Sequence, residues 1–279
     1  VLCRKKKTMP LENIELTDIV GTGGDSKGSF NISSMSALIA ASCGLPIAKH
    51  GNRAVSSKSG SADFYESLGF KIDIAPEKSA EVIRKTNFGF LFAPVYHSAM
   101  RFAAPVRSVM GIKTIMNLIG PLSNPAGAAY QMLGVYSKDL LSPVAEASKM
   151  LGAKRVMVVV SEDGFDEISP CAPTYVIEIN EENQKKEYTI DPRDFGIPSC
   201  NPDDLDGGTG KENVALAMDL IQGKGRLGIL YSCALNAGAT LYIGGKVKSL
   251  KEGYDLSLKA IQNGSVMKKI EEVRKATHE

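Results

Sequence analysis

Short apolar runs of strand length alternate with helical stretches along most of the chain, and this alternation constrains the fold more than any other feature. Strand-like runs occupy 15–20, 46–49, 88–92, 131–136 and 155–160, and helix signals fill 35–43, 62–68, 76–85 and 138–151. Gly44 and Gly69 stop the first two helices, and Pro76 opens the third in the favoured first turn. Ser33 or Ser34 is expected to cap the helix over 35–43. Beyond these, 175–179 and 186–190 read as a hairpin across a charged turn. Helices are expected over 210–221, 227–242 and 250–262, with a polar helix last. Such an order predicts the α/β class, a mixed or parallel sheet flanked by helices. Only 95–125 breaks the rhythm, with helical pieces at 98–110 and 114–119 and no strand. The expected division is therefore a remnant of a helical domain or a linker over 1–14, the α/β domain over 15–96, a helical-domain insert over 97–128, and the rest of the α/β domain over 129–279.

Composition narrows the function classes. The net charge is +2, from 33 basic and 31 acidic residues, and tryptophan is absent. A dedicated nucleic-acid binder carries a marked basic excess, so none is expected. The basic run Arg4 to Lys7 reads as a solvated segment. Five cysteines, an odd number without a CxxC pair, argue against a disulfide framework or zinc site and suit a reducing, cytoplasmic compartment. No apolar signal segment opens the chain. The longest apolar stretch, 227–243, is short for a membrane span and carries Ser232, Asn236 and Thr240, so it is expected to be a buried helix. The chain opens at Val1 without an initiator methionine, the mark of a fragment or trimmed chain.

Three loops carry chemistry. Gly21-Thr-Gly-Gly-Asp25 lies between a strand and a helix, where glycines let backbone N–H groups approach an anion and the helix start adds its own unpaired donors. It is neither a Walker A loop nor a dinucleotide fingerprint, whose third glycine is replaced by Ser26. Thr209-Gly210-Lys211 mimics a Walker motif but reads as a helix start. Lys49-His-Gly-Asn-Arg53, continuing through Ala54-Val-Ser-Ser-Lys58 to Ser61, packs cations and hydroxyls into one polar loop suited to phosphate oxygens. Two anion-binding loops suit a sugar phosphate that also bears a diphosphate. Glu162, Asp163, Asp166 and Glu167 follow the strand ending at Val160, and an adjacent carboxylate pair suits magnesium, which takes one or two carboxylates with waters and substrate phosphates. In the helical insert, Arg107 offers a planar fork to a carboxylate.

Taken together, Gly21-Thr-Gly-Gly-Asp25, Asn31-Ile-Ser-Ser34, Lys49-His-Gly-Asn-Arg53-Ala-Val-Ser-Ser57, Asn117-Leu-Ile-Gly-Pro-Leu-Ser-Asn-Pro125, Asp166-Glu167 and Leu235-Asn-Ala-Gly238 resemble, in this order, the motifs of anthranilate phosphoribosyltransferases. The resemblance covers most of the chain. It implies an α/β domain and a small helical domain with the active site between them, and transfer of the phosphoribosyl group of 5-phosphoribosyl 1-diphosphate (PRPP) to the amine of anthranilate, a step of tryptophan biosynthesis.

The resemblance also implies roles. Gly21, Gly24, Asp25, Ser29, Asn31, Ile32, Ser33 and Ser34 match the loop that contacts the diphosphate. Lys49, His50, Gly51, Asn52, Arg53, Ala54, Val55, Ser56, Ser57 and Ser61 match the loop over the sugar diphosphate, with His50 a candidate helper in catalysis. Gly21, Asn52 and Arg107 match anthranilate contacts. Ser33, Asp166 and Glu167 match the contacts to Mg2+. The family forms homodimers through N-terminal helices that precede the first glycine loop, where this chain has only residues 1–20, so the helical domain is expected to be cut short at its N-terminus. A nucleoside phosphorylase shares the architecture, but the Lys49–Arg53 loop and the acidic pair argue against one.

Overall fold

In the computed structural model, residues 11, 14–23, 27–54, 58–97 and 115–279 are described. Seven strands form one sheet: β1 (Thr17–Gly21), β2 (Ile47–Gly51), β3 (Phe88–Phe92), β4 (Tyr130–Gly134), β5 (Arg155–Ser161), β6 (Thr174–Ile179) and β7 (Lys185–Ile190), in the order β3-β2-β1-β4-β5-β6-β7. The first five in that order run parallel, and β6 and β7 close the edge antiparallel. The sheet is therefore mixed, as expected. The strand order reverses between β1 and β4, and the carboxyl ends at such a switch point leave a crevice.

Helices cover both faces, which explains why the central strands are apolar on both sides. Along β4 and β5, Met132, Met157 and Val159 join the larger core, while Leu133, Val156, Val158 and Val160 join the smaller one on the other face. That is the two-residue period of a strand. The larger core is filled by α1 (Ile32–Ser42), α2 (Ser61–Ser67), α3 (Pro76–Thr86) and the four later helices α7 (Gly210–Ile221), α8 (Leu227–Ile243), α9 (Leu250–Gln262) and α10 (Ser265–His278). Between these groups lie α4 (Ala93–Tyr96), α5 (Ile115–Ile119) and α6 (Leu141–Met150), the last against the smaller core. The apolar stretch 227–243 is the buried helix α8, and among the described residues no helix is long and apolar enough to cross a membrane.

Differences from the sequence reading are local. The helix expected over 35–43 starts at Ile32, so Ser33 and Ser34 lie in its first turn and Asn31 is the N-cap. The Asn31 side chain does not cap, because it is engaged elsewhere. The short α4 has no counterpart in the expected elements, and a 3-10 turn precedes α6. Thr209 and Glu212 form a capping box at α7, so the Walker-like tripeptide is indeed a helix start. The expected piece over 98–110 lies outside the described residues.

Candidate active site

The site forms where β1 and β4 end side by side. Gly21 and Gly134 are paired in register there, and the loop after β5 folds back across both. A Cβ on Gly134 would lie 1.5 Å from the Asp166 carbonyl oxygen, and one on Gly21 would lie 2.4 Å from Asp166 Oδ2. Two hydrogen side chains thus make the cradle into which Asp166, only 8% exposed, descends. Its Oδ2 accepts the Gly23 N–H at 2.7 Å, and Glu167 Oε1 accepts the Ser33 N–H at 2.9 Å. A first-turn donor of α1, the Ser33 N–H, is thereby served by a carboxylate 134 positions away in sequence, in the place of a local side-chain cap.

The acidic loop is itself pinned. Asn236 on α8, fully buried, accepts the Ile168 N–H at 3.0 Å and donates to the Ile168 carbonyl at 2.8 Å. Ser161 and Ser169 donate to the two oxygens of Asp163, and Tyr175 donates to Glu162. Of the four acids read from the sequence, Glu162 and Asp163 therefore shape the loop, and Asp166 and Glu167 face the crevice.

The basic loop begins on β2. Lys49 is 1% exposed, and its Nζ donates to the Ile19 carbonyl at 2.6 Å and to Ser33 Oγ at 3.3 Å. Burial pushes its ammonium below the usual range, while Asp18, Glu167 and Asp166 pull it back up. Asp18, fully buried on β1, accepts the His50 N–H and an amide N–H of Asn124. Burial pushes its carboxyl up to about 6, against the nearby Lys49 ammonium and the N–H groups of Asn124, His50 and Ile19. His50 is 4% exposed, and its ring lies 5.1 Å from that of His97.

Further along, the loop is closed by α2. Asp63 accepts the Ala54 and Gly60 N–H groups, and Ser61 Oγ donates to the Asn52 carbonyl. Arg53 forks onto Glu66 at 2.8 and 3.0 Å and reaches Asp63 at 3.0 Å, with its side chain 46% exposed. Asn31 joins the two anion loops: its Oδ1 accepts from Ser59 Oγ at 2.9 Å and from Asn213 Nδ2 at 2.7 Å. Behind it, the Phe30 N–H donates to the Leu205 carbonyl and the Gly207 N–H to the Gly28 carbonyl, and Ser29 bridges Asp206.

Of the residues singled out in the sequence, Gly21, Asn31, Ser33, Lys49, His50, Asp166 and Glu167 therefore meet within one hydrogen-bonded constellation or its immediate neighbours. Ile32 and Ser34 are buried in the first turn of α1, Ser34 accepting the Tyr65 hydroxyl through its carbonyl. Gly51 ends β2, Asn52 and Arg53 are exposed, and Ala54 follows them. Gly24, Asp25, Val55, Ser56, Ser57 and Arg107 lie outside the described residues. Sequence reading passed over Asp18, Ser59, Asn124, Gly134, Asn213 and Asn236. A charged residue inside an apolar strand run was the available signal for Asp18, and Asn124 and Asn236 sit inside quoted motifs.

The cradle fits magnesium by its donor chemistry. Two hard carboxylates are tied to the Gly23 and Ser33 N–H groups, next to the Ser33 hydroxyl, and among the described residues no group of three or more His, Cys, Asp or Glu forms a self-sufficient cage. Magnesium is commonly completed by water and substrate phosphate.

Comparison with known proteins agrees with this geometry. Residues 13–267 match the model of the glycosyl transferase family, a/b domain. The chain is 43% identical over 272 residues to the anthranilate phosphoribosyltransferase of Tolumonas auensis, covering 98% of this chain and 80% of that protein. It is 45% identical over 259 residues to that of Persephonella marina, covering 93% and 76%. The structure superposes on the Thermus thermophilus anthranilate phosphoribosyltransferase with a TM-score of 0.93 at 41% identity, over 100% of this chain and 82% of that one. It superposes on the Saccharomyces cerevisiae enzyme in complex with PRPP and Mg with a TM-score of 0.90 at 27% identity, over 99% and 77%. With relatives this similar over most of their own length, the chain belongs to the anthranilate phosphoribosyltransferases.

Proposed function

We propose that the chain transfers the phosphoribosyl group of PRPP to the amine of anthranilate, releasing N-(5-phosphoribosyl)anthranilate and diphosphate. The observation that carries this is the convergence, at the switch point, of a glycine loop and a helix start, each tied to one of two carboxylates through the Gly23 and Ser33 N–H groups, with a buried lysine. Such a set suits a diphosphate bound with a divalent cation. The yeast relative was solved with PRPP and Mg and with 4-fluoroanthranilate.

Asp166, Glu167 and the Ser33 hydroxyl would hold magnesium, which when bound neutralises charge on the departing diphosphate. The remaining work belongs to the chain. C1 of the ribose gains oxocarbenium-like character as the bond to diphosphate lengthens, so catalysis rests on alignment and charge compensation. Residues 21–34 and 49–61 supply N–H groups, hydroxyls and cations to the phosphates. The Arg53 fork exchanges onto a phosphate at little cost, because exposed ion pairs such as those with Asp63 and Glu66 are worth about 0–1 kcal/mol. The amine of anthranilate attacks C1, and its proton leaves once the new C–N bond has acidified it, so no strong base is required and His50 serves at most as a helper. We place the helical insert at 97–128 and the reaction in the cytoplasm, with a homodimer as the family's assembly. Loss of anthranilate fluorescence with PRPP and magnesium tests the reaction directly. A chain that leaves anthranilate unconsumed contradicts it.

Anthranilate's carboxylate is assigned to Arg107. Its charge-assisted hydrogen bonds are worth about 1.5–3 kcal/mol, roughly ten- to a hundredfold in affinity. Arg107→Ala is expected to raise the KM for anthranilate by that factor and to leave the KM for PRPP nearly unchanged. Arg107→Lys should recover only part, since lysine keeps the charge without the planar fork. Steady-state kinetics with each substrate varied in turn decide it, and an unchanged anthranilate dependence removes the assignment.

A further inference from the structure

The sheet is complete between β1 and β4 and between β2 and β3, with five residue pairs in register in each. Between β1 and β2 the register holds only at Thr17 and Ile47. Three of the groups that would continue that ladder are taken by side chains instead. The Ile19 carbonyl takes the Lys49 ammonium at 2.6 Å. The His50 N–H, its natural partner, goes to Asp18 Oδ1 at 3.1 Å. The Ala48 carbonyl takes Asn124 Nδ2 at 2.8 Å, and the same amide donates to Asp18 Oδ2 at 2.7 Å. Asn124 Oδ1 accepts the Ala126 N–H at 2.8 Å. Both oxygens of Asp18 and both polar atoms of the Asn124 side chain are used, as burial demands.

Splayed strands are costly unless something is gained by the opening. Here the opening lies at the carboxyl ends of β1 and β2, between the Gly21 turn and the Lys49–Arg53 loop. Resting on the function proposed above, we propose that Asp18 and Asn124 are positioning residues for the transfer: their hydrogen bond wedges β1 from β2 and sets the spacing between the two loops that hold the PRPP phosphates. Asn124 also lies on the segment that returns from α5 to β4, so the wedge ties that spacing to the return from the helical insert. Neither residue touches substrate in this scheme. Both act through Lys49, His50 and Gly21.

The test separates positioning from plain stability. Asn124→Ala strips both donors from the wedge. Its kcat/KM for PRPP, corrected for folded protein, is expected to fall about ten- to a hundredfold, with a higher KM for PRPP and weaker calorimetric binding of inorganic diphosphate with magnesium. Where Asn124→Ala does not fold, Asn124→Ser, which keeps one short donor, is read in the same way. Asn124→Asp sets two carboxylates face to face and is expected to be worse. Adding Asp18→Asn to Asn124→Asp restores the hydrogen bond with donor and acceptor exchanged, leaving the Ala48 carbonyl without its donor and one new amide N–H without an acceptor, and should recover at least about tenfold as a coupling in the double-mutant cycle. An active wild type whose Asn124 variants lose only melting temperature, with kcat and the KM for PRPP intact, overturns the wedge and leaves the function standing. So does an exchanged pair that regains stability without regaining kinetics. A wild type that consumes no anthranilate overturns the function, and the wedge with it.

Discussion

The double variant Asp166→Asn, Glu167→Gln is expected to lose transfer activity by at least about a hundredfold at ordinary magnesium while remaining folded. Charge neutralisation by a bound cation is worth several kcal/mol, and each 1.36 kcal/mol is about tenfold in rate. The fold survives because the replacements keep an oxygen where each carboxylate now accepts, so the Gly23 and Ser33 N–H groups retain partners. The Asn236 clamp on the Ile168 peptide is untouched. Steady-state rates across a magnesium titration, with circular dichroism on the same samples, check both halves. Near-normal turnover at ordinary magnesium would remove the acidic pair from the mechanism. An unfolded variant would show that the charges, rather than the oxygens, hold the loop.

Gly134→Ala should be nearly as damaging, although Gly134 contacts no assigned substrate group. The added carbon would overlap the Asp166 carbonyl at 1.5 Å and its carbonyl carbon at 2.6 Å. Backbone cannot rotate out of the way as a side chain can, so the whole 161–168 loop must lift. Overpacking of this kind costs about 1–3 kcal/mol, a fall of roughly 2–10 °C in Tm for a chain of this size. The lifted loop carries both carboxylates away from α1, so turnover should fall at least about tenfold and demand more magnesium. Gly21→Ala makes the instructive contrast. Its neighbour is the Asp166 carboxylate at 2.4 Å, a side chain that can rotate away, giving up its hydrogen bond with the Gly23 N–H. We expect it to lose activity with a smaller loss of Tm. Thermal melts and magnesium-dependent rates on the two variants rank them, and the reverse order in Tm would mean that the cradle is held from the Gly21 side.

Much of this was legible in the residues because the information is local. Apolar period, Gly and Pro punctuation and the valine run of β5 report elements within a few positions of themselves, and all seven strands fell where those signals lie. The place of the acidic pair was legible for a similar reason, as two adjacent carboxylates just past a strand. What escaped depends on neighbours far away in sequence. Nothing around Gly134 says that residue 166 will rest on it. Asn213 and Asn236 look like ordinary helix asparagines until Asn31 and Ile168 are placed beside them. The N-cap expectation failed on the same ground: Ser33 has the right chemistry to cap, but a carboxylate from beyond β5 already serves that turn.

The clamp from α8 and the pairing of 28–30 with 205–207 have a consequence for how the chain is made. Translation delivers β1, α1 and β2 first, yet the acidic loop they need is fixed only when Asn236 arrives, about seventy residues after Glu167. At roughly 5–20 residues per second, the ribosome leaves a delay on the order of 3–14 seconds. During it, the nascent chain already carries every residue assigned to PRPP and magnesium but lacks the clamp on the loop that bears two of them. Long-range closure of this sort is slow and exposes apolar surface. A chain stalled before residue 236 should therefore gain no protection from proteolysis when PRPP and magnesium are added, whereas the full chain should.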